Sequence, residues 1–184
     1  FENGAYFIVS AFQSDLVLID SLLKGIIDNP VFGFGMRYKE IEFITERFHD
    51  GHNDFLTLSP ILLKENLGIK KYRYVTFEDN DFLPMLIERT KAKLEKIKPG
   101  IDLTGFDITL PVCKSRKVKR ILVKNVLNKA SQCPLRIHGK KEVAELLYHV
   151  GVGQSTNSGF GCVYKGENHH QYRMQKPTLK LVEA

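Results

Sequence analysis

Between Phe55 and Lys165 the spacing of apolar residues switches from a period of two to one of 3.6 and back, twice over, and that order of periods leaves few folds open. Phe55 to Leu63 (FLTLSPILL) reads as a strand, with Pro60 marking an edge position or a bulge. Tyr72 to Phe77 (YRYVTF) alternates and is expected to hairpin back on it. Asn80-Asp81 then opens a helix whose apolar positions Leu83, Leu86, Ile87, Leu94 and Ile97 keep helical spacing; basic residues crowd its end, where the helix dipole favours them, and Pro99-Gly100 stops it. Strands are expected around 103–112, 117–126 and 132–138, a helix from Lys140 to Val150, and a last strand from Phe160 to Lys165. Strand, helix, a long strand pair, helix, strand is the β-α-β-β-α-β order of a ferredoxin-like sheet.

The upstream residues repeat part of this pattern. Ala5 to Phe12 (AYFIVSAF) has strand composition, and Ser14-Asp15 is a helix start signal. In residues 15–28 the set Leu16, Ile19, Leu22, Leu23, Ile26 and Ile27 makes one helical stripe, ended by Asn29-Pro30. Tyr38 to Ile44 (YKEIEFI) alternates again. The expected organisation is therefore α+β, with tandem ferredoxin-like (RRM-like) domains of which the first is incomplete: residues 1–46 as the C-terminal half of one domain, 47–54 as a polar linker, 55–166 as a second domain, and 167–184 as a polar tail. With 43% hydrophobic residues the chain has ample material for a core. The third and fourth strands of a ferredoxin-like sheet are separated by the first, so the opening half-domain calls for a segment, upstream or on another chain, to fill the gap.

Charge is divided unevenly. Residues 1–107 carry 13 Lys/Arg against 17 Asp/Glu, and residues 108–184 carry 14 against 4. From Ile108 to Lys141 there are ten basic residues and no acidic one. A solvated face mixes signs, so a block of one sign points to a polyanion, with nucleic acid first. On the expected strand pair, Lys114, Arg116, Lys117, Lys119, Arg120, Lys124 and Arg136 interleave with Val118, Ile121, Leu122 and Val123, so alternate positions face a core and the rest face phosphates.

Other classes are disfavoured. The longest apolar runs, such as Leu16 to Asp20 and Ile61 to Leu63, are too short to span a bilayer. Position 1 is Phe and no charged leader precedes a short apolar core, so no signal peptide is read and the chain is expected to begin in mid-sequence. Cys113, Cys133 and Cys162 stand 20 and 29 residues apart, which fits neither a zinc pair nor a disulfide framework and implies a reducing, cytoplasmic setting. His169-His170 has no partner at helical spacing and the acids are scattered, so neither a metal nor a cofactor is expected.

Gly151, Gly153, Gly159 and Gly161 frame the insert Gln154-Ser155-Thr156-Asn157-Ser158, which has no bulky residue. A dinucleotide fingerprint needs glycine at position 156, where Thr stands, and needs a strand running into a helix, whereas here a helix runs into a strand. The Gly-Lys-Ser/Thr of a phosphate-binding ATPase loop is absent too. Two readings remain: a glycine turn joining helix to strand, or a loop whose glycines allow close backbone approach and whose N–H groups and hydroxyls hold phosphates.

The run GVGQSTNSGFGCV resembles the C-terminal glycine-rich motif of the CRISPR-associated endoribonucleases of the sixth Cas family, in the RAMP superfamily: Gly-apolar-Gly, five residues, Gly-Phe/Leu-Gly. FLTLSPI at 55–61 resembles the strand opening the family's second ferredoxin-like domain, and AYFIVSAF with its helix resembles the end of the first. The resemblance implies a protein that binds CRISPR repeat RNA and cuts precursor CRISPR RNA without metal or cofactor. A 2′-hydroxyl attacks the adjacent phosphate, leaving a 2′,3′-cyclic phosphate and a 5′-hydroxyl, with a general acid, a general base and cationic stabilisation. It also implies RNA contacts from the basic pair and from Gly151, Gly153, Gln154, Ser155, Asn157, Ser158, Gly159 and Gly161. Association as a homodimer or with a CRISPR effector complex belongs to the same set of implied partners.

There are two departures from the family pattern. Members often carry Glu-Lys after the second glycine, where this chain has Gln154-Ser155. Their usual acid/base histidine lies in the first helix of the first domain, which corresponds to residues upstream of Phe1. Within the chain, His49 and His52 lie in polar sequence, His149 is on a helix, and His138, at the end of a basic strand, is the candidate to mutate first. A non-catalytic repeat-RNA-binding homologue and an inactive fragment of the nuclease are the alternatives; an unrelated RRM lacks its aromatic motif here.

Overall fold

A computed structural model of the protein describes residues 16–31, 37, 41, 46–69, 71–113, 115–123 and 125–165. The strands expected over 5–12 and 38–44 (Ile41 apart), the tail, Lys114 and Lys124 lie outside the described residues. The chain divides into two units, residues 1–47 and 48–184.

In the first unit the expected helix is α1 (Leu16–Asp28). Ile19, Leu23 and Ile26 are its half-buried positions, at the spacing of one helical face. Asp20 and Lys24 pair across one turn, and Ser21 Oγ donates back to the Val17 carbonyl. Val31 and Arg37 form a bridge beyond it.

The second unit runs β1 (Gly51–Thr57), β2 (Lys64–Asn66), β3 (Tyr72–Tyr74), α2 (Phe82–Ile97), β4 (Asp107–Thr109), β5 (Lys117–Val123), β6 (Val126–Gln132), β7 (Leu135–Gly139), α3 (Lys141–Val150), a 3₁₀ turn (Thr156–Ser158) and β8 (Val163–Lys165). Its main sheet has the order β4-β7-β1-β8, antiparallel throughout. Counting only those four strands and the two helices, this is β-α-β-β-α-β with the first strand between the third and fourth, the ferredoxin-like arrangement. Two ribbons, β2-β3 and β5-β6, are spliced into its connections.

One face of the sheet is buried under the helices. Asn53, Phe55 and Thr57 of β1, Ile108 of β4, Leu135 and Ile137 of β7 and Val163 of β8 are buried, as are Leu86 and Leu94 of α2 and Val143, Ala144 and Leu147 of α3, with α2 packed on β4 and α3 on β7 and β8. The alternate residues His52, Asp54, Arg136, His138, Asp107 and Thr109 line the other face. Arg73 pairs with Glu65 and Asp81, and Lys98 with Glu142, tying ribbon to helix and helix to helix at the surface. No described helix is long and apolar enough to cross a membrane.

Several expectations are corrected. The first strand starts at Gly51 and not Phe55, so residues read as linker form its first half. Period two is present there, but its inward residue is Asn53, which satisfies its amide by donating to the His49 carbonyl (2.8 Å) and accepting from the His49 N–H (3.2 Å). After Thr57 the chain leaves the sheet near Pro60, and Ile61 and Leu62 bridge to Ser131 and Gln154 instead. Tyr72–Tyr74 therefore pairs with Lys64–Asn66, and the expected partner segment is reached by Val75, whose N–H donates to the Leu63 carbonyl (3.1 Å). The basic stretch read as one strand over 117–126 is a hairpin whose two strands pair up to Val123 and Val126. Asn125 makes the turn at φ +65°, a conformation Asn tolerates better than most residues, so no Gly or Pro announces it.

Candidate nucleic-acid interface

The glycine run is folded against its own chain. Gly151, Val152, Gly153, Phe160 and Gly161 are buried. Val152 donates to the Gly161 carbonyl (2.9 Å), Gly161 to the Pro60 carbonyl (2.9 Å), and Gln154 to the Leu62 carbonyl (2.9 Å). A side chain would break this stitching. A Cβ at Gly161 would lie 1.8 Å from the Val152 oxygen, one at Gly151 would lie 2.7 Å from the Gly161 oxygen, and one at Gly153 would lie 2.8 Å from Ile61 Cγ2. The close backbone approach that these glycines allow is thus to the segment Pro60–Leu62 and within the loop itself.

Gln154 is engaged inside the fold. Its Oε1 accepts from the Lys64 N–H (2.6 Å) and holds β2 to the loop. Only the tip, Ser155, Asn157, Ser158 and Gly159, is exposed. It is a 3₁₀ turn entered by Ser155 in the left-handed region (φ +56°) and left by Gly159 (φ +83°). Both hydroxyls and the Asn157 amide are therefore offered outward on a backbone fixed from below.

Part of that support is Lys93 of α2, which the sequence reading missed. Its Nζ donates to the Gly151 carbonyl at the C-terminus of α3 (3.2 Å) and to Thr156 Oγ1 (3.5 Å), joining the base of the loop to its tip. Burial pushes the Lys93 ammonium down to about 8. A legible signal existed: Lys93 follows Leu86 and Thr90 and precedes Leu94 on the stripe that α2 buries.

Phe160 pins the loop to the hairpin. With Leu62 and Ala130 it forms a second small core, on which Ile121, Val123 and Tyr74 pack. Burying a side chain of the size of Phe or Leu contributes about 1.5–3 kcal/mol, enough to hold a ribbon against a loop. Alternation and register then place the basic residues. Lys117 and Lys119, exposed, share the face of Ile121 and Val123 that looks toward the loop, whereas Arg120, with its cross-strand partner Lys129, lies on the reverse face.

Two expected RNA contacts are engaged internally. Arg116 is half-buried and donates to the carbonyls of Leu110 (3.1 Å) and Pro111 (2.7 Å), clamping the loop before β5. Arg136 makes a two-pronged pair with Asp54 across β1 and β7 (2.7 and 2.8 Å), which holds the Asp54 carboxyl below its ordinary range. His138 sits on the open sheet face, its Nε2 hydrogen-bonded with Thr109 Oγ1 (3.1 Å) and its ring 6.3 Å from that of His52. These neighbours are not those of the glycine loop. Cys133 is buried, which pushes its thiol up to about 12. No cluster of three or more His, Cys, Asp or Glu suited to a metal occurs among the described residues.

The hairpin turn and the loop tip meet over a recess of about 230 Å³, to which Leu62, Val123, Val126 and Phe160 give the walls and Lys64, Asn128, Ser155 and Ser158 the polar rim. Lys64 Nζ lies 5.4 Å from the Tyr74 ring centre and 5.9 Å from that of Tyr72, so the cation is held over an aromatic pair. Neither Lys64 nor Asn128 was singled out from sequence.

Comparisons with known proteins bear on the family and the fold. Residues 39–164 match the family described as CRISPR associated protein Cas6, C-terminal. A curated Pyrococcus furiosus protein, named as a CRISPR-associated endoribonuclease-like protein Cas6, is 26% identical over 82% of this chain and 64% of its own length. A solved Cas6-related protein from Pyrococcus furiosus superposes with a TM-score of 0.67 at 27% identity, covering 85% of this chain and 65% of that one. A RAMP protein described as binding different RNA substrates shares the fold, with a TM-score of 0.65 at 24% identity over 85% of this chain and 66% of its own. The chain thus spans a little under two thirds of the length of these relatives. Taken with the glycine-loop architecture, these matches place the chain in the Cas6 family, over that family's C-terminal region.

Proposed function

We propose that this chain binds CRISPR repeat RNA and takes part in the endonucleolytic processing of precursor CRISPR RNA. The observation that carries the reading is the placement, in a member of the Cas6 family, of the exposed loop tip and Lys64 around one recess, beside a hairpin strand whose loop-facing side carries Lys117 and Lys119 within a stretch free of acids. The lysines hold backbone phosphates, and the Ser155, Asn157 and Ser158 side chains supply neutral hydrogen bonds beside them. The buried glycines serve by setting this tip, and the engaged residues Arg116 and Arg136 by shaping the elements that carry it. Lys114 and Lys124 extend the basic row in sequence.

Cleavage is proposed to follow the metal-independent route, 2′-hydroxyl attack giving a 2′,3′-cyclic phosphate and a 5′-hydroxyl. No histidine lines the recess, so the acid/base groups come from elsewhere: from a first ferredoxin-like domain completed by an upstream or separate segment, with His138 the candidate inside this chain. The same observation favours a second reading, in which the chain grips repeat RNA and does not cut it. Incubating the protein with labelled repeat RNA in excess EDTA tests both. A product with a cyclic phosphate end supports the nuclease, unchanged but retarded RNA supports the binding-only homologue, and no retardation sinks both.

A further inference from the structure

The recess between hairpin and loop is built more firmly than a groove that merely passes a phosphate backbone. The two elements that wall it, the hairpin turn and the glycine loop, hold Asn125 and Ser155, the two non-glycine residues at positive φ among the described residues (+65° and +56°). Such conformations are retained where the surroundings dictate them and cluster at ligand clamps. The dictating contacts are visible: Asn128, buried beneath the hairpin turn, donates its amide to the Val126 carbonyl (2.9 Å), Gln154 ties the loop to Lys64, and Lys93 braces Thr156. The space is therefore formed before a ligand arrives, and its affinity is not reduced by ordering the walls.

Size and lining restrict the occupant. At about 230 Å³ the recess falls below the roughly 300 Å³ at which sites for drug-sized molecules begin, so it takes a single ring system and leaves attached groups outside. The walls are apolar and the edge carries hydroxyls, which suits a flat heterocycle with polar edges. Lys64 stands at the rim, the loop-facing side of β5 that leads to it carries Lys117 and Lys119, and no acid occurs from Ile108 to Lys141 to repel phosphates. A base splayed from a single strand, with its sugar and phosphates outside, meets all of these conditions.

We propose that the recess formed by Val123, Val126, Ser155, Ser158 and Phe160 is a binding site for one unstacked nucleobase of single-stranded RNA. This rests on the RNA-binding reading above and adds to it a base-dependent contact separate from the phosphate contacts.

The test compares two 12-residue probes of equal charge, oligouridylate and a fully abasic ribose-phosphate strand, titrated by fluorescence polarisation across a salt series. The wild-type protein is expected to prefer the uridylate by roughly 5- to 100-fold, the range for one stacked base. Ser158→Tyr and Val126→Trp, which fill the recess from opposite rims, are expected to lose that preference and bind both probes alike. Equal binding of the two probes by the wild type, or a preference that survives both filled variants, overturns the base site while leaving RNA binding intact. Binding of neither probe overturns both readings. A readout needing no variant is photocrosslinking of a 5-iodouridine dodecamer to the wild type: attachment within 123–128 or 155–160 supports the site, and attachment confined to other segments overturns it.

Discussion

The base and the tip of the glycine run are made of similar residues and do opposite things. At the base, Gly151, Gly153 and Gly161 exist because backbone or side-chain atoms occupy the place of their Cβ atoms, whereas at the tip Gly159 has nothing within 4 Å of that place. The same composition therefore covers a core element and a surface element. What separates them is contact with Pro60–Leu62 and with Phe160, and the lesson is that a glycine motif marks a site by way of the loop it stabilises.

The sharpest way to break this comparison is Gly161→Ala. With a Cβ 1.8 Å from the Val152 oxygen and φ at +66°, it should cost more than about 4 kcal/mol in urea unfolding or prevent folding. A loss near 1 kcal/mol would mean that the base is as open as the tip. Gly153→Ala, which meets the movable Ile61 side chain and the Leu62 carbonyl, should cost an intermediate ~2–3 kcal/mol by the same measurement. Gly159→Ala should cost only about 1–2 kcal/mol, from its φ of +83° alone.

Effects on binding should run the other way. Lys119→Ala is expected to leave the urea midpoint unchanged and to reduce the slope of log affinity against log salt by about one. Arg136→Ala, whose guanidinium is engaged by Asp54, should leave that slope unchanged and lower the urea midpoint only slightly.

The last effect is one of pH at Lys93, which ties base to tip. Its folded-state value, about 8, lies below the ordinary 10.5, so between those values the unfolded chain binds more protons and stability should rise as pH increases from 8 to 10.5. Below 8 both states are protonated and the cost of the buried charge is fully present. Over that range the urea midpoint of the wild type should gain on that of Lys93→Met, the raised Cys133 thiol lowering both alike; parallel curves would remove Lys93 from its bracing role.

The elements with strong period were legible. Helices α1, α2 and α3 lie within two residues of their expected starts, because Asn29-Pro30, Pro99-Gly100 and Gly151 end them and long apolar stripes leave one face to bury. The first half of β1 was not legible, since Asn53 is buried by virtue of its hydrogen bonds to His49 and not by hydrophobicity. Nor was the turn at Asn125, where the sequence has no Gly or Pro and apolar residues 121–123 and 126–127 flank Lys124-Asn125. In the candidate site, the basic block and the glycine motif were plain, while the division of the arginines was not. Arg116 and Lys119 look alike in sequence, but one guanidinium is turned back onto the carbonyls of Leu110 and Pro111.

What the sequence alone determined is the alternation of strand and helix, the charge split and the position of the glycines, all of which are properties of neighbouring residues along the chain. The tertiary structure decided which cations remain available, that the glycines serve the interior of their own loop, and that Lys64, Asn128 and Ser158 meet around one recess. Those outcomes depend on contacts between residues as far apart as Lys64 and Gln154, and no local period or propensity carries information about partners at such separation.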